Sequence, residues 1–325
     1  MESKLAHHTY GINGIQLRVA EQGEGPPVIL CHGFPELWFV WHRQMSALAA
    51  AGYRAIAPDL RGAGASSAPP DAKAYTQETI CGDIIGLMDE LGLDSAVIVG
   101  HDWGGVLAWN MALHHPQRVR AVGGINSTGI AQVQLPVSAL ELMQRNPGNW
   151  DYQLYFQTPG LAEAELEEDI QRFVTLIFRS SDPADEYDIL SEFGSARERG
   201  GILVGYPQKP RRSIMLSEDE LQYIVHEHEM TGMRGALNWY RVHDQNFEWG
   251  KAVIGKKVLH PAFVVTAGKD PVMTPDLTSG MEELAPNLTR HHIEQCSHWT
   301  QLEHPALLNR MLIDWLNALA AGQPL

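Results

Sequence analysis

The chain has 325 residues, 44% hydrophobic and 19% charged, a composition that suits a globular protein with one large buried core and a smaller unit carried on it. Its 39 acidic and 24 basic residues leave a formal net charge of -15 with no basic block to offset it, so nucleic-acid binding is not expected. No window approaches the apolar length of a signal peptide or a bilayer span, which points to a cytoplasmic protein without membrane insertion.

In chain order, the turn signal Asn13-Gly14 leads into a strand over 15–19, read as the sheet edge, and Pro26-Pro27 opens a buried strand over 28–31. A helix over 41–51, a strand over 53–57, a helix over 76–91, a strand over 95–99, a helix over 105–114 and a strand over 119–125 follow. Strands that run apolar without alternating, separated by helices, indicate an α/β protein with a mostly parallel sheet flanked by helices. From residue 131 the alternation stops, and helices richer in acid and aromatics are expected at 161–178, 218–230 and 234–243. It returns with a strand over 262–267, a helix over 278–284, a strand over 289–293 and a helix over 305–319. The expected organisation is an α/β core formed by 1–130 and 246–325. A helical cap at 131–245 interrupts it and roofs the carboxyl ends of the strands.

The stretch V-I-V-G-H-D-W-G-G, Val97 to Gly105, is a strand, a glycine-flanked turn and the start of a helix. This is the context of a nucleophile elbow, in which small neighbours let strand and helix close up while the central residue is forced into an exposed, strained conformation. Here that residue is Asp102; an aspartate before a helix can also be a plain cap, but a cap needs none of Gly100, Gly104 and Gly105. A serine that opened an epoxide or displaced a halide would be left as an ether. A carboxylate gives an ester, which water can cleave at the carbonyl carbon if a base activates it and N-H donors receive the oxyanion. The base is expected to be His298, in C-S-H-W-T after the strand at 289–293, oriented by Asp270 in T-A-G-K-D-P-V. The order Asp102, Asp270, His298 is that of the α/β-hydrolase fold. Oxyanion donors are expected from the backbone of Trp103 and of Phe34, whose His32-Gly33-Phe34-Pro35 loop is compatible with a cis proline.

With H-G-F-P-E at 32–36, G-H-D-W-G-G at 100–105, D-Y-Q-L-Y-F-Q at 151–157, G-A-L-N-W-Y-R at 235–241, T-A-G-K-D at 266–270 and C-S-H-W-T-Q at 296–301, the chain resembles the epoxide hydrolases of the α/β-hydrolase fold. It is similar above all to the hydrolase domain of the animal soluble enzymes, from about residue 10 to the last helix. The resemblance implies hydrolysis of lipophilic aryl or alkyl epoxides to vicinal diols, a detoxifying chemistry, with Tyr152 and Tyr240 donating hydrogen bonds to the epoxide oxygen. It implies no cofactor and no metal, and partners limited to the epoxide and water, in a monomer or homodimer. Trp38, Phe156, Trp239 and Trp299 are expected to line the substrate pocket; each is equally readable as core packing. The chain opens directly on the hydrolase segment, so the phosphatase domain of the animal enzymes and its magnesium-dependent activity are not expected, and the ending A-G-Q-P-L does not match a peroxisomal address.

The nearest rival is a haloalkane or haloacid dehalogenase, which shares the aspartate and histidine but needs halide-binding N-H groups, such as the Trp103 indole, in place of paired phenols. A non-catalytic ligand receptor is the rival from another class, and the intact Asp270 and His298 speak against it. H-E-H-E-M at 226–230 lacks zinc-helix spacing and reads as a solvated run, as does the acidic stretch 163–169, with Leu161, Leu166 and Ile170 on its buried side. His101 reads as structural. Cys31, Cys81 and Cys296 suit free thiols, and the triplet Asn126-Ser127-Thr128 reads as a chance match to a glycosylation site.

Overall fold

A computed structural model of the chain describes residues 4–128, 130 and 134–322; residue 131, where the helical insertion was expected to open, and the last residues of the A-G-Q-P-L ending lie outside them. The strands are β1 (Ala6–Ile12), β2 (Ile15–Gln22), β3 (Pro27–Cys31), β4 (Arg54–Pro58), β5 (Ala96–His101), β6 (Val119–Ile125), β7 (Ala262–Ala267) and β8 (Leu288–Ile293). They form one sheet in the order β1-β2-β4-β3-β5-β6-β7-β8, antiparallel from β1 to β4 through β2 and parallel from there onward. Every residue of β5 and β7 is buried, which is why neither alternates: both faces are covered by helices.

The Asn13-Gly14 signal is a hairpin turn, with positive φ of 48° and 78° and Ile12 opposite Ile15. The strand it joins to β2 is β1, which the sequence reading missed, so β2 is not the sheet edge. Only Ile12 of β1 is fully buried, so the segment carries almost no apolar pattern to announce it.

Helices α1 (His42–Ala50), α2 (Gln77–Glu90) and α3 (Trp103–His114) follow β3, β4 and β5 as expected. Between β6 and β7 the described residues form helices and turns only. The single helix expected over 161–178 is two, Leu161–Glu168 and Ile170–Ile177, because Asp169 turns out of the first and caps the second by accepting from Arg172 N at 2.8 Å. A helix at His243–Gly250 was not anticipated, and the expected boundary at residue 245 falls inside it.

The acidic stretch is a solvated face only in part: Glu167, Glu168 and Asp169 are exposed, but Glu163 is buried and several of these carboxylates are bonded within the fold. Glu163 pairs with Arg241, Glu165 accepts from the N-H groups of Ile202 and Leu203, and Glu167 accepts from Met233 N. Leu166 and Ile170 are buried as expected, whereas Leu161 is exposed. His228, dismissed with its run, is buried and donates to Pro35 O at 2.9 Å.

The turn between β5 and α3 is the tightest point of the core. A Cβ on Gly100 would overlap the Gly104 carbonyl, one on Gly104 would overlap the Cys31 carbonyl of β3, and one on Gly105 would meet Ser127. Backbone cannot yield as a side chain does, so Gly104→Ala should lose about 3 kcal/mol or more in urea unfolding. Gly82→Ala, on α2 with only the Asn13 amide near, should change stability by less than about 1 kcal/mol. Equal effects would mean that the close strand-helix approach is not what these glycines serve.

Candidate active site

β5 ends at His101 and α3 begins at Trp103, leaving Asp102 alone between them at φ 51° and ψ -119°. Its N-H donates to Ile125 O at 3.2 Å, tying the turn to β6. The carboxylate faces the loop after β3, and Gly33 is part of the fit, since a Cβ there would strike the Asp102 carboxyl group. Phe34 N donates to Asp102 Oδ1 at 2.9 Å, and the Trp103 N-H adds a second favourable contact. The Phe34–Pro35 peptide is cis.

Asp270 follows β7 and His298 follows β8, so both reach the same end of the sheet as Asp102. His298 Nδ1 is 2.8 Å from Asp270 Oδ2. Its Nε2 is 3.9 Å from Asp102 Oδ2, close for charges but too long for a direct hydrogen bond. Asp270 Oδ1 accepts from Val272 N and Met273 N at 3.0 and 2.8 Å, and Oδ2 also accepts from Asn126 Nδ2 at 2.8 Å. All three ionisable groups are buried.

Burial acts first on each of them, and the neighbours decide the outcome. It raises the Asp102 carboxyl above the usual range, against the pull of His298, His101 and the N-H of Phe34. For Asp270 burial pushes the same way, but the His298 charge and hydrogen bond, with Asn126 and Met273 N, hold it below the usual range. Burial alone would lower His298; Asp270 and then Asp102 overcome it and hold the imidazole up at about 9.

Tyr152 and Tyr240 come from separate helical segments, Asp151–Tyr155 and Trp239–Arg241, and meet over this carboxylate with ring centroids 5.8 Å apart. Both are buried, and burial, reinforced by the Asp102 charge, keeps both phenols far above 10 and therefore protonated. Gln153 Nε2 donates to Tyr152 Oη at 3.1 Å. Trp103 lies edge-on to Tyr240 at 5.2 Å, and its indole interacts with the Tyr240 oxygen.

A cavity of about 300 Å³ opens on Asp102 and Trp103, walled by Val106, Leu135, Leu142, Met143, Trp150, Met273 and other residues that are mostly apolar. None of Trp38, Phe156, Trp239 and Trp299, expected as its lining, is on that wall. Trp38 donates to the Tyr223 hydroxyl, Trp239 to Arg61 O and Trp299 to Ile177 O, each at 2.9–3.0 Å, so their polar edges are spent on structural bonds. Phe156 packs behind both tyrosines and Phe34.

Sequence reasoning missed three supporting groups. Asn126, in the triplet set aside as a glycosylation match, has φ 44° at the end of β6 and links Asp270 to Thr300, whose hydroxyl donates to its Oδ1 at 2.6 Å. Glu36 accepts from Gly33 N at 2.6 Å, pairs with His101 Nδ1 at 2.8 Å and accepts from Gln301. His101 Nε2 in turn donates to His298 O at 2.8 Å, which gives it the structural task expected of it. Gln153, in the quoted D-Y-Q, was the legible one.

Among the described residues, one group has metal-type ligand atoms in mutual reach, Cys296, Glu303 and His304. Its donors are already occupied: Glu303 accepts from Ser297 N and Ser181 N, His304 Nε2 faces Gln295 O, and burial raises the Cys296 thiol. No described helix is long and apolar enough to cross a membrane.

Residues 26–305 match the family described as alpha/beta hydrolase fold. Among curated proteins the chain is 47% identical to bifunctional epoxide hydrolase 2 of Sus scrofa over 93% of its own length, but it spans about half (53%) of that longer relative. It is 37% identical to epoxide hydrolase A of Mycobacterium tuberculosis, over 94% of this chain and 96% of that one. The crystal structure of epoxide hydrolase A from Mycobacterium thermoresistibile superposes with a TM-score of 0.84 at 34% identity, covering 97% of this chain and 98% of that one. An epoxide hydrolase from an endophytic Streptomyces gives a TM-score of 0.88 at 33% identity, with 98% and 96% covered. The chain belongs to the α/β-hydrolase fold family and, within it, to the epoxide hydrolases.

Proposed function

We propose that this chain converts lipophilic epoxides to vicinal diols in two steps through an alkyl-enzyme ester on Asp102. The observation that carries the reading is the meeting of two buried phenols, Tyr152 and Tyr240, with ring centroids 5.8 Å apart, beside the Asp102 carboxylate, which itself opens on a mostly apolar cavity. Residues 131–245 act as a cap: they supply both phenols and much of the cavity wall.

In the first step Asp102 Oδ2 attacks a ring carbon, the C-O bond breaks, and a tyrosine hydroxyl gives its proton to the departing alkoxide. Oδ1 stays with the N-H of Phe34 and becomes the ester carbonyl oxygen. The proton inventory then closes. The free enzyme holds an anionic Asp102 and, with a pKa of about 9, a protonated His298. Esterification removes the Asp102 charge, which is one of the forces holding His298 up, so the imidazolium gives its proton to restore the phenol and becomes a neutral base. It takes a proton from water as the hydroxide adds to the ester carbonyl, and the Phe34 and Trp103 N-H groups receive the oxyanion; on collapse the leaving oxygen takes the proton of the newly added hydroxyl, which releases the diol with Asp102 anionic and His298 protonated again. Asp270 orients the ring through Nδ1.

A dehalogenase would need the Trp103 indole free to hold a halide. Here it is turned to Tyr240, which favours the epoxide.

Incubation of the purified protein with stilbene oxide and a bromoalkane, with products read by mass spectrometry, should give diol and leave the bromide intact; alcohol plus bromide with the epoxide untouched would assign Asp102 to dehalogenation. Tyr152→Phe and Tyr240→Phe should each cost about ten- to a thousandfold in kcat, since each removes one donor from the alkoxide. His298→Gln should accumulate an adduct of substrate mass on Asp102 in intact-protein spectra, and substrate binding without any adduct would exclude the ester. Imidazole NMR should show His298 titrating near 9 in the wild type and lower in Asp102→Ala, where the same charge is gone; an unchanged value would break the link between esterification and the release of the base.

A further inference from the structure

Gln153 follows Tyr152 on the helix Asp151–Tyr155, is buried, and forms part of the wall of the cavity that opens on Asp102. Successive residues of a helix point roughly 100° apart, so a side chain does not ordinarily meet the tip of the one before it. Here the amide does: Nε2 donates to Tyr152 Oη at 3.1 Å. The Gln153 backbone is held as well, its carbonyl accepting at 2.9 Å from Gln157 Nε2, which also donates to Tyr240 O. Phe156 and Phe193 pack on the Tyr152 ring at 5.5 and 4.7 Å between centroids, and neither can bond its oxygen. The polar side chains beside that oxygen are the Gln153 amide and the Tyr240 hydroxyl.

An N-H group can only donate, so the bond fixes the sense in which the phenol is used. Its oxygen receives from Gln153, and its own proton is left for another acceptor. A phenol whose oxygen accepts a hydrogen bond is also a stronger donor, because each bond polarises the next. The same N-H stays in place as negative charge gathers on the oxygen, and a bond to a charged oxygen is roughly twice as strong as one to a neutral oxygen. The interaction therefore strengthens as the proton leaves Tyr152, which is the condition for an effect on rate rather than on binding. The sense of the amide follows from its other end. Oε1 accepts from none of the described residues; with the amide reversed, Nε2 would stand there with two N-H groups unmet, where one acceptor is now.

We infer that Gln153 is a positioning residue that acts through Tyr152, turning the phenol proton toward the epoxide oxygen and supporting the phenolate while the C-O bond breaks. The inference rests on the reading of Tyr152 as a donor to the opening epoxide. In that step the Tyr152 O-H bond breaks and its proton forms the hydroxyl of the alkyl-enzyme. The electron pair left on the phenol oxygen is held by the Gln153 N-H until His298 returns a proton. Gln153 itself touches no reacting atom.

Two variants of similar size test this. Gln153→Met removes the amide, and Gln153→Glu reverses the sense of the bond once ionised, since a carboxylate accepts the phenol's proton. With stilbene oxide, alkyl-enzyme formation and ester hydrolysis are timed separately by rapid quench and intact-protein mass, for wild type, both variants, Tyr152→Phe and the Tyr152→Phe/Gln153→Met double variant, with a melting temperature for each. Gln153→Met should slow alkylation about tenfold, the worth of one hydrogen bond to an oxygen gaining charge, and leave ester hydrolysis unchanged. In the Tyr152→Phe background the same substitution should change alkylation by less than about twofold, because the group it acts through is gone. The alkylation rate of Gln153→Glu relative to wild type should fall as pH rises and the introduced carboxyl ionises.

Alkylation at the wild-type rate in Gln153→Met, or the same loss with and without the phenol, overturns the inference. Faster alkylation also overturns it, and assigns the amide the reversed sense, in which it competes for the proton. Equal slowing of both steps with a lowered melting temperature makes Gln153 a packing residue only. Absence of diol from the wild type overturns the epoxide reading itself. If Gln153→Met does not fold, Gln153→Glu still decides, since a ratio to wild type that stays flat from about pH 5 to 9, the range in which a buried carboxyl ionises, overturns the inference.

Discussion

Asp102 holds φ 51° and ψ -119°, a conformation that a residue with a side chain enters only when its surroundings compel it, at a cost of about 1–3 kcal/mol. The compulsion is the close passage of α3 against β3 and β5, where Gly100 and Gly104 leave no space for a Cβ. Without those two glycines the helix would stand off, the turn would relax, and the carboxylate would lose its alignment with Phe34 N. The strain is met by the buried sheet beneath, in which β5 lies between β3 and β6 with every residue inside. Asp270 and His298 then need only follow β7 and β8 to arrive at the same sheet end.

The two aspartates show how one side chain is given two characters by its surroundings. Burial raises both, yet Asp270 ends low and Asp102 high. Asp270 accepts from two backbone N-H groups, an amide and the imidazole, so its charge is solvated by fixed dipoles. Asp102 has the N-H of Phe34 and Trp103, and its Oδ2 is 3.9 Å from the imidazole without a hydrogen bond. A poorly solvated carboxylate is the better proposed nucleophile, and a well-solvated one the better fixed orienter.

Much of this was legible in the sequence because it is local. Asp102 with its glycines, Asp270 and His298 each sit in a short run at a strand end, and a strand end in a parallel sheet has only one place to be. Tyr152 and Tyr240 needed the resemblance, since nothing in a helical stretch distinguishes a phenol over a carboxylate from a packed one. What failed was whatever depends on contacts distant in sequence. The four aromatics assigned to the pocket are bonded through their polar edges or packed behind the tyrosines. Asn126 looked like part of a glycosylation triplet because its partner, Asp270, lies far along the chain, in the loop after β7. Glu163, Glu165 and Glu167 looked solvated because the groups they hold arrive from later in the chain.

That last misreading bears on the phenols. Tyr152 and Tyr240 belong to separate helical segments, and a pair proposed to address one oxygen tolerates little drift, where about 1 Å already costs a large factor in rate. The segments are joined by bonds that do not involve the phenols themselves. Gln157 Nε2 donates to Tyr240 O at 2.7 Å, Arg241 Nε to Phe156 O at 2.8 Å, and Arg241 grips both oxygens of Glu163 at 2.7 and 2.9 Å. The Arg241–Glu163 pair is almost wholly buried, so removing Glu163 would leave the Arg241 charge buried without its partner carboxylate, costing about 3–5 kcal/mol, whereas Glu163 also has Arg234 at 3.8 Å. The acidic stretch therefore contributes the clamp that fixes one tyrosine against the other. The sheet sets the position of the carboxylate by backbone constraint; the helices set the position of the phenols by a buried ion pair, and the proposed reaction requires both to agree.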